Sequence, residues 1–297
     1  MALSFNRSFD AIPGVAEALS PLVTRVLAPN PGPFTFRGTG VYLVGVSDKK
    51  KSVAVIDPGP LLPAHMEALK DAIGARRVSH ILVTHTHRDH SESANALKAW
   101  SGAKTYGYGP QLQASTGEEA DDTGFVPDVC LGDGSVVLGD GFKLTALHTP
   151  GHAANHLCLA LEEEKALFSG DHVMGWSTSV IAPPDGDMAD YMESLERLVA
   201  RDDAVLYPTH GAPVEHPKAY LQALLAHRRE REAQILGQLV FARARIEGLV
   251  AALYPGLDAK LQAAAALTVR AHLQKLEAEG KVRCDGERWR ATAPPAT

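Results

Sequence analysis

Residues 83–90 read VTHTHRDH, and the order of groups in this stretch decides the fold. Three histidines and an aspartate, His85, His87, Asp89 and His90, fall within six positions directly after an apolar run. Imidazole nitrogen and carboxylate oxygen are suitable ligands for a zinc-like ion. Side chains two apart on an extended segment point the same way, so His85 and His87 can grip one ion. Asp89 and His90, where the chain turns into a helix, can face a second. A lone histidine here would more often be an ordinary core or surface group. HxHxDH on a strand-to-helix turn is far more specific.

A catalytic metal site needs further ligands from distant loops, and candidates stand at the ends of other strand-like runs. LHTPGHAANH (147–156) places His152 after a Pro-Gly turn. ALFSGDH (166–172) places Asp171 at a strand end, and VLYPTHG (205–211) does the same for His210. Each alone could be any loop, since Gly-Asp turns are common. Four such elements at four strand ends are hard to ascribe to chance.

The surroundings alternate short β-rich runs with polar turns. VYLVGV (41–46) and VAVIDPG (53–59) read as paired strands about a basic turn at 47–52, and VSHILVTH (78–85) as a buried strand. Further strands are expected at 125–130, 135–138, 142–147, 156–161, 165–168 and 204–207. Helices are expected over 64–73, 91–100 and 188–200. This mixture of α and β predicts an α/β (α+β) sandwich of sheets flanked by helices. After Pro217 the texture changes. One long helix-forming run (218–239) precedes a helix closed by Pro255 and Gly256, one or two more over 260–279, and KVRCDGERWRAT (281–292), whose Asp285-Gly286 is a hairpin signal. Helices followed by a hairpin resemble a winged helix-turn-helix. The expected division is residues 1–216 for the catalytic sandwich and 217–297 for the winged-helix-like domain, with ATAPPAT a loose end.

The motifs THTHRDH, TPGHAANH, SGDH and PTHG, in that order, resemble those of the metallo-β-lactamase superfamily, in its glyoxalase-II-like and ribonuclease-like branches. The resemblance spans roughly residues 35–215 and implies an αββα sandwich with a dinuclear site at one edge of the sheets. It implies that His85, His87 and His152 hold one metal, that Asp89, His90 and His210 hold the other, and that Asp171 bridges them. Two Zn2+ ions are the expected cofactors, with Fe or Mn as alternatives; a persulfide dioxygenase of this fold uses a single iron. Asp rather than Cys at 171, a His at 90 and an N-terminus without a signal-peptide pattern argue against a true β-lactamase. With VYLVG, DYMESL and the helical tail added, the whole chain looks most like the lactamase-beta-like group. That group contains single-stranded RNA endonucleases and thioesterases acting on acyl carriers.

The chemistry implied is hydrolysis. Two adjacent ions lower the pKa of a shared water from ~15.7 toward neutrality and polarise a carbonyl or phosphoryl oxygen, so no Ser or Cys nucleophile is needed. Asp89 is the expected catalytic residue, ligating and orienting the hydroxide. Asp57 could fix a ligand histidine's tautomer or merely cap a turn before Pro58. His156 could act likewise or be a strand histidine beside the core. His172 could reach the cleft. Tyr191, on the loop and helix GWSTSVIAPPDGDMADYMESL (175–195), could touch a substrate oxygen or pack on the sheet.

Composition narrows the substrate. From Glu215 onward 13 Lys and Arg face 9 Asp and Glu, leaving 16 against 26 before it, so an acidic body carries a mildly basic tail. Arg270, Lys275, Lys281, Arg283, Arg288 and Arg290 could hold phosphates with Trp289 stacking a base, or simply solvate a surface while Trp289 packs the wing. An acidic body repels a long RNA, and a small ester or thioester meets no such objection, so the latter is expected and single-stranded RNA is the alternative. A non-enzymatic nucleic-acid-binding scaffold is a third class, disfavoured because a retired site would have lost some of its seven ligands. Three scattered cysteines and no run of ~20 apolar residues predict a cytoplasmic protein without membrane contact, and the winged-helix surface could also mediate a homodimer.

Overall fold

A computed structural model describes residues 3–46, 48, 51–110 and 121–292. Much of the turn expected at 47–52, and most of the ATAPPAT end, lie outside the described residues. Two sheets stack face to face. The first has seven strands in sequential order: β1 (Ala16–Ala18), β2 (Val23–Leu27), β3 (Gly40–Val44), β4 (Ser52–Ile56), β5 (Arg77–Leu82), β6 (Lys104–Gly107) and β7 (Val129–Cys130). The second runs β13 (Val214–Glu215), β12 (Val205–Pro208), β11 (Ala166–Gly170), β10 (Leu157–Leu161), β9 (Phe142–His148) and β8 (Val136–Gly139). Helices α1 (Pro63–Ile73), α2 (Arg88–Ser91) and α3 (Ala94–Ser101) belong to the first half, and α4 (Met188–Val199) to the second.

Strand alternation builds the layers. On β3, Tyr42 and Val44 face the second sheet with Ile56 and Leu82, meeting Leu144, Leu157, Leu159, Leu161 and Phe168. Their neighbours Val41 and Leu43 face outward under Met66, Leu69 and Ile73 of α1 and Leu97 of α3. On the far side, Cys158, Ala160, Leu167 and Leu206 lie under Met188, Met192 and Leu195 of α4. Both faces of β3, β4, β10 and β11 are buried, which is why these strands read as unbroken apolar runs rather than alternating ones. The result is the expected αββα order.

Helix α5 (Pro217–Phe241) joins this body to the tail. Its first half places Leu221, Leu224 and Leu225 in the α4 layer. Its second half adds Ile235 and Leu239 to a separate core with Leu249 of α6 (Ile246–Leu253), Val269, Leu273 and Leu276 of α7 (Ala259–Ala278), and Val282 and Trp289 of the hairpin β14 (Val282–Asp285) and β15 (Arg288–Ala291). This is a helical winged-helix domain. Trp289 is a core residue there, not an exposed stacking platform.

Some expectations shift in detail. The strand expected at 125–130 shortens to β7, and Phe125 packs beneath α3 instead. The helix at 91–100 divides in two because the Ser93 amide donates to Gly59 O and its hydroxyl to Pro60 O. Pairing of Asp285 with Arg288 makes Gly286 and Glu287 the hairpin loop, one residue later than the Asp-Gly signal. Gly286 supplies the positive φ of +68°.

The tail core encloses a charged cluster. His272 Nδ1 lies 3.4 Å from Glu232 Oε1, and Lys275 Nζ 3.0 Å from the same oxygen. Burial pushes His272 down to about 4 and outweighs the carboxylate, which acts to raise it. The unfolded chain binds this proton below pH ~6.5 and the folded one only near 4, so stability from this group is full above 6.5 and falls between the two. The loss amounts to about 3 kcal/mol. Thermal melts of the wild type should therefore drop more steeply between pH 6.5 and 4 than those of His272→Gln; parallel curves would refute this account.

Candidate metal centre

Sheet topology brings the motif residues to one edge. β4 and β5 run parallel, β11 and β12 run parallel, and β9 is antiparallel to β10, which is antiparallel to β11. The carboxyl ends of β9, β11 and β12 therefore lie together. His85 and His87 follow β5, His152 follows β9, Asp171 follows β11, and His210 follows β12.

Three sets of ligand atoms converge, each within 4.8 Å: His85, His87 and His152; His85, His90 and Asp171; and Asp89, His90 and His210. In the first, His87 Nδ1 lies 2.9 Å from His85 Nε2 and 3.2 Å from His152 Nε2. In the others, His210 Nε2 lies 3.1 Å from Asp89 Oδ2 and 3.4 Å from Asp171 Oδ2, and His90 Nε2 lies 3.6 Å from each carboxylate. All seven expected ligands are thus side by side. All but Asp89 are buried, and Asp89 is half-open to the cleft.

Electrostatics divides the cluster. Burial lowers His85 far below the ordinary imidazole value, with the neighbouring imidazoles adding to it, and takes His87 to about 3. His85 Nε2, His87 Nδ1 and His152 Nε2 thus aim ring nitrogens at one another. On the other side burial opposes ionisation of Asp89, yet His90 and His210 hold it at about 2. Asp171 is likewise held down, while Asp171 and Asp89 raise His210 to about 10 against its burial. Asp171 Oδ1 and His90 Nε2 are buried without a hydrogen-bond partner. Neutral nitrogens beside paired carboxylates, with buried donor atoms unused, form a set that fits divalent cations.

The remote nitrogens of the cluster's histidines face outer groups. His85 Nδ1 meets Thr84 Oγ1 at 3.1 Å and His90 Nδ1 meets Asp57 Oδ2 at 2.9 Å. His152 Nδ1 donates to Val180 O at 2.8 Å and His210 Nδ1 to Gly38 O at 3.1 Å. His87 Nε2 points toward Asp121, 3.8 Å away. Carbonyl oxygens can only accept, so they fix the Nδ1–H tautomer and turn Nε2 to the centre.

Asp57 lies fully buried beneath His90 and does more than cap a turn. It accepts from the Thr84 amide (2.7 Å) and from the hydroxyls of Thr84 (2.8 Å) and Thr209 (2.9 Å). His156 accepts at Nε2 from the Asp171 amide at 3.3 Å, and its Nδ1 lies 2.9 Å from Thr149 Oγ1. Gly170 has φ +52°, and a Cβ there would come within 2.4 Å of His156 Nε2, so the SGD turn requires glycine. His172 does not join the converging atoms. It is buried between His156 and Tyr191, with ring centroids 5.7 and 4.6 Å away, and burial takes it to about 3. Tyr191 departs from its expected role as a substrate contact: it is fully buried on α4, and its hydroxyl donates to His172 O. The helix turns its apolar face to the sheet and carries the ring inward.

Sequence reading missed Thr84, Thr209, Asp121 and the Val180 carbonyl. A signal existed for the threonines, since Thr-His recurs at 84–85, 86–87 and 209–210. A carbonyl contact leaves no residue-type signature.

Comparison with known proteins identifies the family and its domains. The family described as "Metallo-beta-lactamase superfamily" matches residues 35–210, and "Beta-lactamase associated winged helix domain" matches 246–289. "Lactamase-like protein adaB" of Aspergillus niger is 32% identical over 300 residues, covering 94% of this chain and 89% of its own. "Atrochrysone carboxyl ACP thioesterase AgnL7" of Paecilomyces divaricatus is 35% identical over 222 residues, 74% of this chain and 65% of its own. In structure, a beta-lactamase domain protein from Burkholderia ambifaria superposes with a TM-score of 0.81 at 21% identity, covering 98% of this chain and 97% of that one. The chain belongs to the metallo-beta-lactamase superfamily and carries the winged-helix domain associated with it.

Proposed function

We propose that this enzyme is a dinuclear metal hydrolase, with zinc the leading metal, acting on a small ester or thioester. The observation that carries the reading is the convergence of seven ligand side chains in two sets beside one open carboxylate. His85, His87 and His152 would hold one ion, Asp89, His90 and His210 the other, with Asp171 between them. Such a pair makes hydroxide available at neutral pH and polarises a carbonyl oxygen. Asp89, ionised and the most exposed of the seven, would orient the attacking water by accepting its proton in a hydrogen bond. Asp57 and the Val180 carbonyl would keep His90 and His152 turned inward. No cysteine nucleophile is needed: Cys158 is fully buried, and burial raises its thiol to about 12.

The thioester choice draws on the relative named as an ACP thioesterase. It also draws on the tail's charges. Arg283 and Arg290 pair with Asp285, Lys281 with Glu279, Lys275 with Glu232 and Glu279, and Arg245 with Glu287. Four of the six cations of this track, Lys275, Lys281, Arg283 and Arg290, are thus paired with carboxylates, and with Trp289 in the core the track is a poor hold for RNA. We place the protein in a compartment that keeps its thiols reduced, as its three free cysteines favour. Among the described residues no helix is long and apolar enough to cross a membrane. The domain boundary we favour is at 216/217, where α5 begins.

Two variants test this. Asp171→Ala should lose thioester hydrolysis and bound metal together while its circular dichroism stays native. Metal-loaded wild type that cleaves an unstructured RNA oligomer but no thioester would reverse the substrate assignment. Asp57→Asn, which keeps the shape but not the charge beneath His90, should weaken metal binding about 10–100-fold. Unchanged affinity in a metal-competition titration would remove Asp57 from the site.

A further inference from the structure

A cavity of about 200 Å3 lies where the segment 174–180 meets the helices of the tail, and no candidate metal ligand lines it. Its apolar walls are Phe34, Trp176, Tyr254, Leu261 and Ala264. It meets the centre only from behind. Val180 is on its wall, and the Val180 carbonyl accepts at 2.8 Å from His152 Nδ1, the nitrogen turned away from the ligand cluster. A guest held here is therefore apart from the reacting atoms, yet it rests on the segment that aims a ligand.

The lining is chemically lopsided. It contains Arg7, His227 and Arg228 with the hydroxyls of Ser177, Thr178 and Ser179, and no carboxylate, in a chain whose net charge is −6. Arg228 is 2% exposed, donates to Ser179 O at 2.6 Å and lies 4.9 Å over the Tyr191 ring. It makes no ion pair among the described residues, and its Nε, together with Trp176 Nε1 and Ser179 Oγ, is buried without a hydrogen-bond partner. Glu232, one turn further along α5, is taken by His272 and Lys275. A buried cation without a counter-charge is costly, and an anion in the cavity would offset that cost. Size restricts the guest as well. A cavity of ~150 Å3 accommodates benzene, so a single ring carrying one acidic group is the scale of molecule that fits.

We propose that this interdomain cavity is an effector site for a single-ring organic acid in its anionic form, which acts on the metal centre from outside it. Phe34, Trp176 and Tyr254 face the ring, and Arg7 and Arg228 supply the counter-charge. The guest holds segment 176–180 in place, and that segment presents the Val180 carbonyl to His152. Guest and metal then favour one arrangement of the segment, so each raises the affinity of the other by the same factor. The winged-helix domain is the sensing half, since it supplies Arg228, Tyr254, Leu261 and Ala264. This coupling rests on the metal reading above, whereas the occupancy of the cavity needs neither the metal nor the ester or thioester assignment.

The probe is benzenesulfonate, an aromatic anion that is a poor zinc ligand, with methyl phenyl sulfone as its neutral counterpart. Calorimetry measures both on the full chain, zinc-loaded and zinc-free. The sulfonate should bind at least about tenfold tighter than the sulfone. Arg7→Gln, a change at an exposed position, should weaken the sulfonate and not the sulfone. Ala264→Trp, which fills the cavity, should abolish binding of both, so the idea does not depend on one variant folding. Zinc loading should tighten the sulfonate at least about fivefold, and the sulfonate should tighten zinc by the same factor in a metal-competition titration. Equal binding of sulfonate and sulfone, binding that both variants leave intact, or a sulfonate affinity indifferent to bound zinc would each overturn the proposal. Sulfonate bound in the cavity by a chain that takes up no zinc would uphold the anion site and sink the metal-centre reading instead.

Discussion

The carboxylate of Asp57 is buried completely at the seam of the two sheets, and the candidate centre depends on how it is satisfied. Its oxygens take four hydrogen bonds: two from Thr84 beyond β5 in the first sheet, one from Thr209 beyond β12 in the second, and one from the His90 ring. An ionised group so deep is tolerated only when its lone pairs are filled, and losing one partner leaves a buried charge uncompensated. The same four bonds therefore pin two sheet edges together, place the strand-to-helix turn 83–90 against the 209–211 turn, and aim His90. Asp57 itself adopts φ +49°, a left-handed conformation that aspartate tolerates better than most residues.

A second set of bonds runs from the tail to the opposite wall of the centre. Tyr220 donates to Met174 O at 2.6 Å, Arg228 to Ser179 O, and the Ile181 amide to Thr268 Oγ1. They fix segment 174–181 from outside, and that segment fixes His152 through Val180. The winged-helix domain is thus coupled to the candidate ligands by hydrogen bonds that span a single loop. Six of its basic residues, Arg243, Arg245, Lys275, Lys281, Arg283 and Arg290, form ion pairs within the tail.

The chemistry was legible because it is written in residue types at fixed offsets. HxHxDH, and the Gly-Asp, Pro-Gly and Thr-His turns, each carry a side chain that few other roles require, and all seven converge. Long apolar runs such as 41–44 and 157–161 disclosed the doubly covered strands, and Gly-Pro punctuation disclosed the tail helices. Short strands failed the same reading. β1 is fully exposed and three residues long, and β6 reads Lys-Thr-Tyr-Gly with no apolar run to mark it, so only pairing with neighbours makes them strands. Of the two readings of Tyr191, packing on the sheet holds, because helical phase, not loop position, decides which way it points. The Val180 carbonyl and the interdomain cavity were invisible, since both arise from backbone and from residues far apart in sequence.

The account rests on two cations held side by side by these seven side chains. Anomalous X-ray scattering at the zinc edge, from crystals of the zinc-loaded protein, tests that most directly. It should give two peaks, one enclosed by His85, His87 and His152 and the other by Asp89, His90 and His210, with Asp171 touching both. A single peak, or a peak that leaves either set of ligands empty, would contradict it.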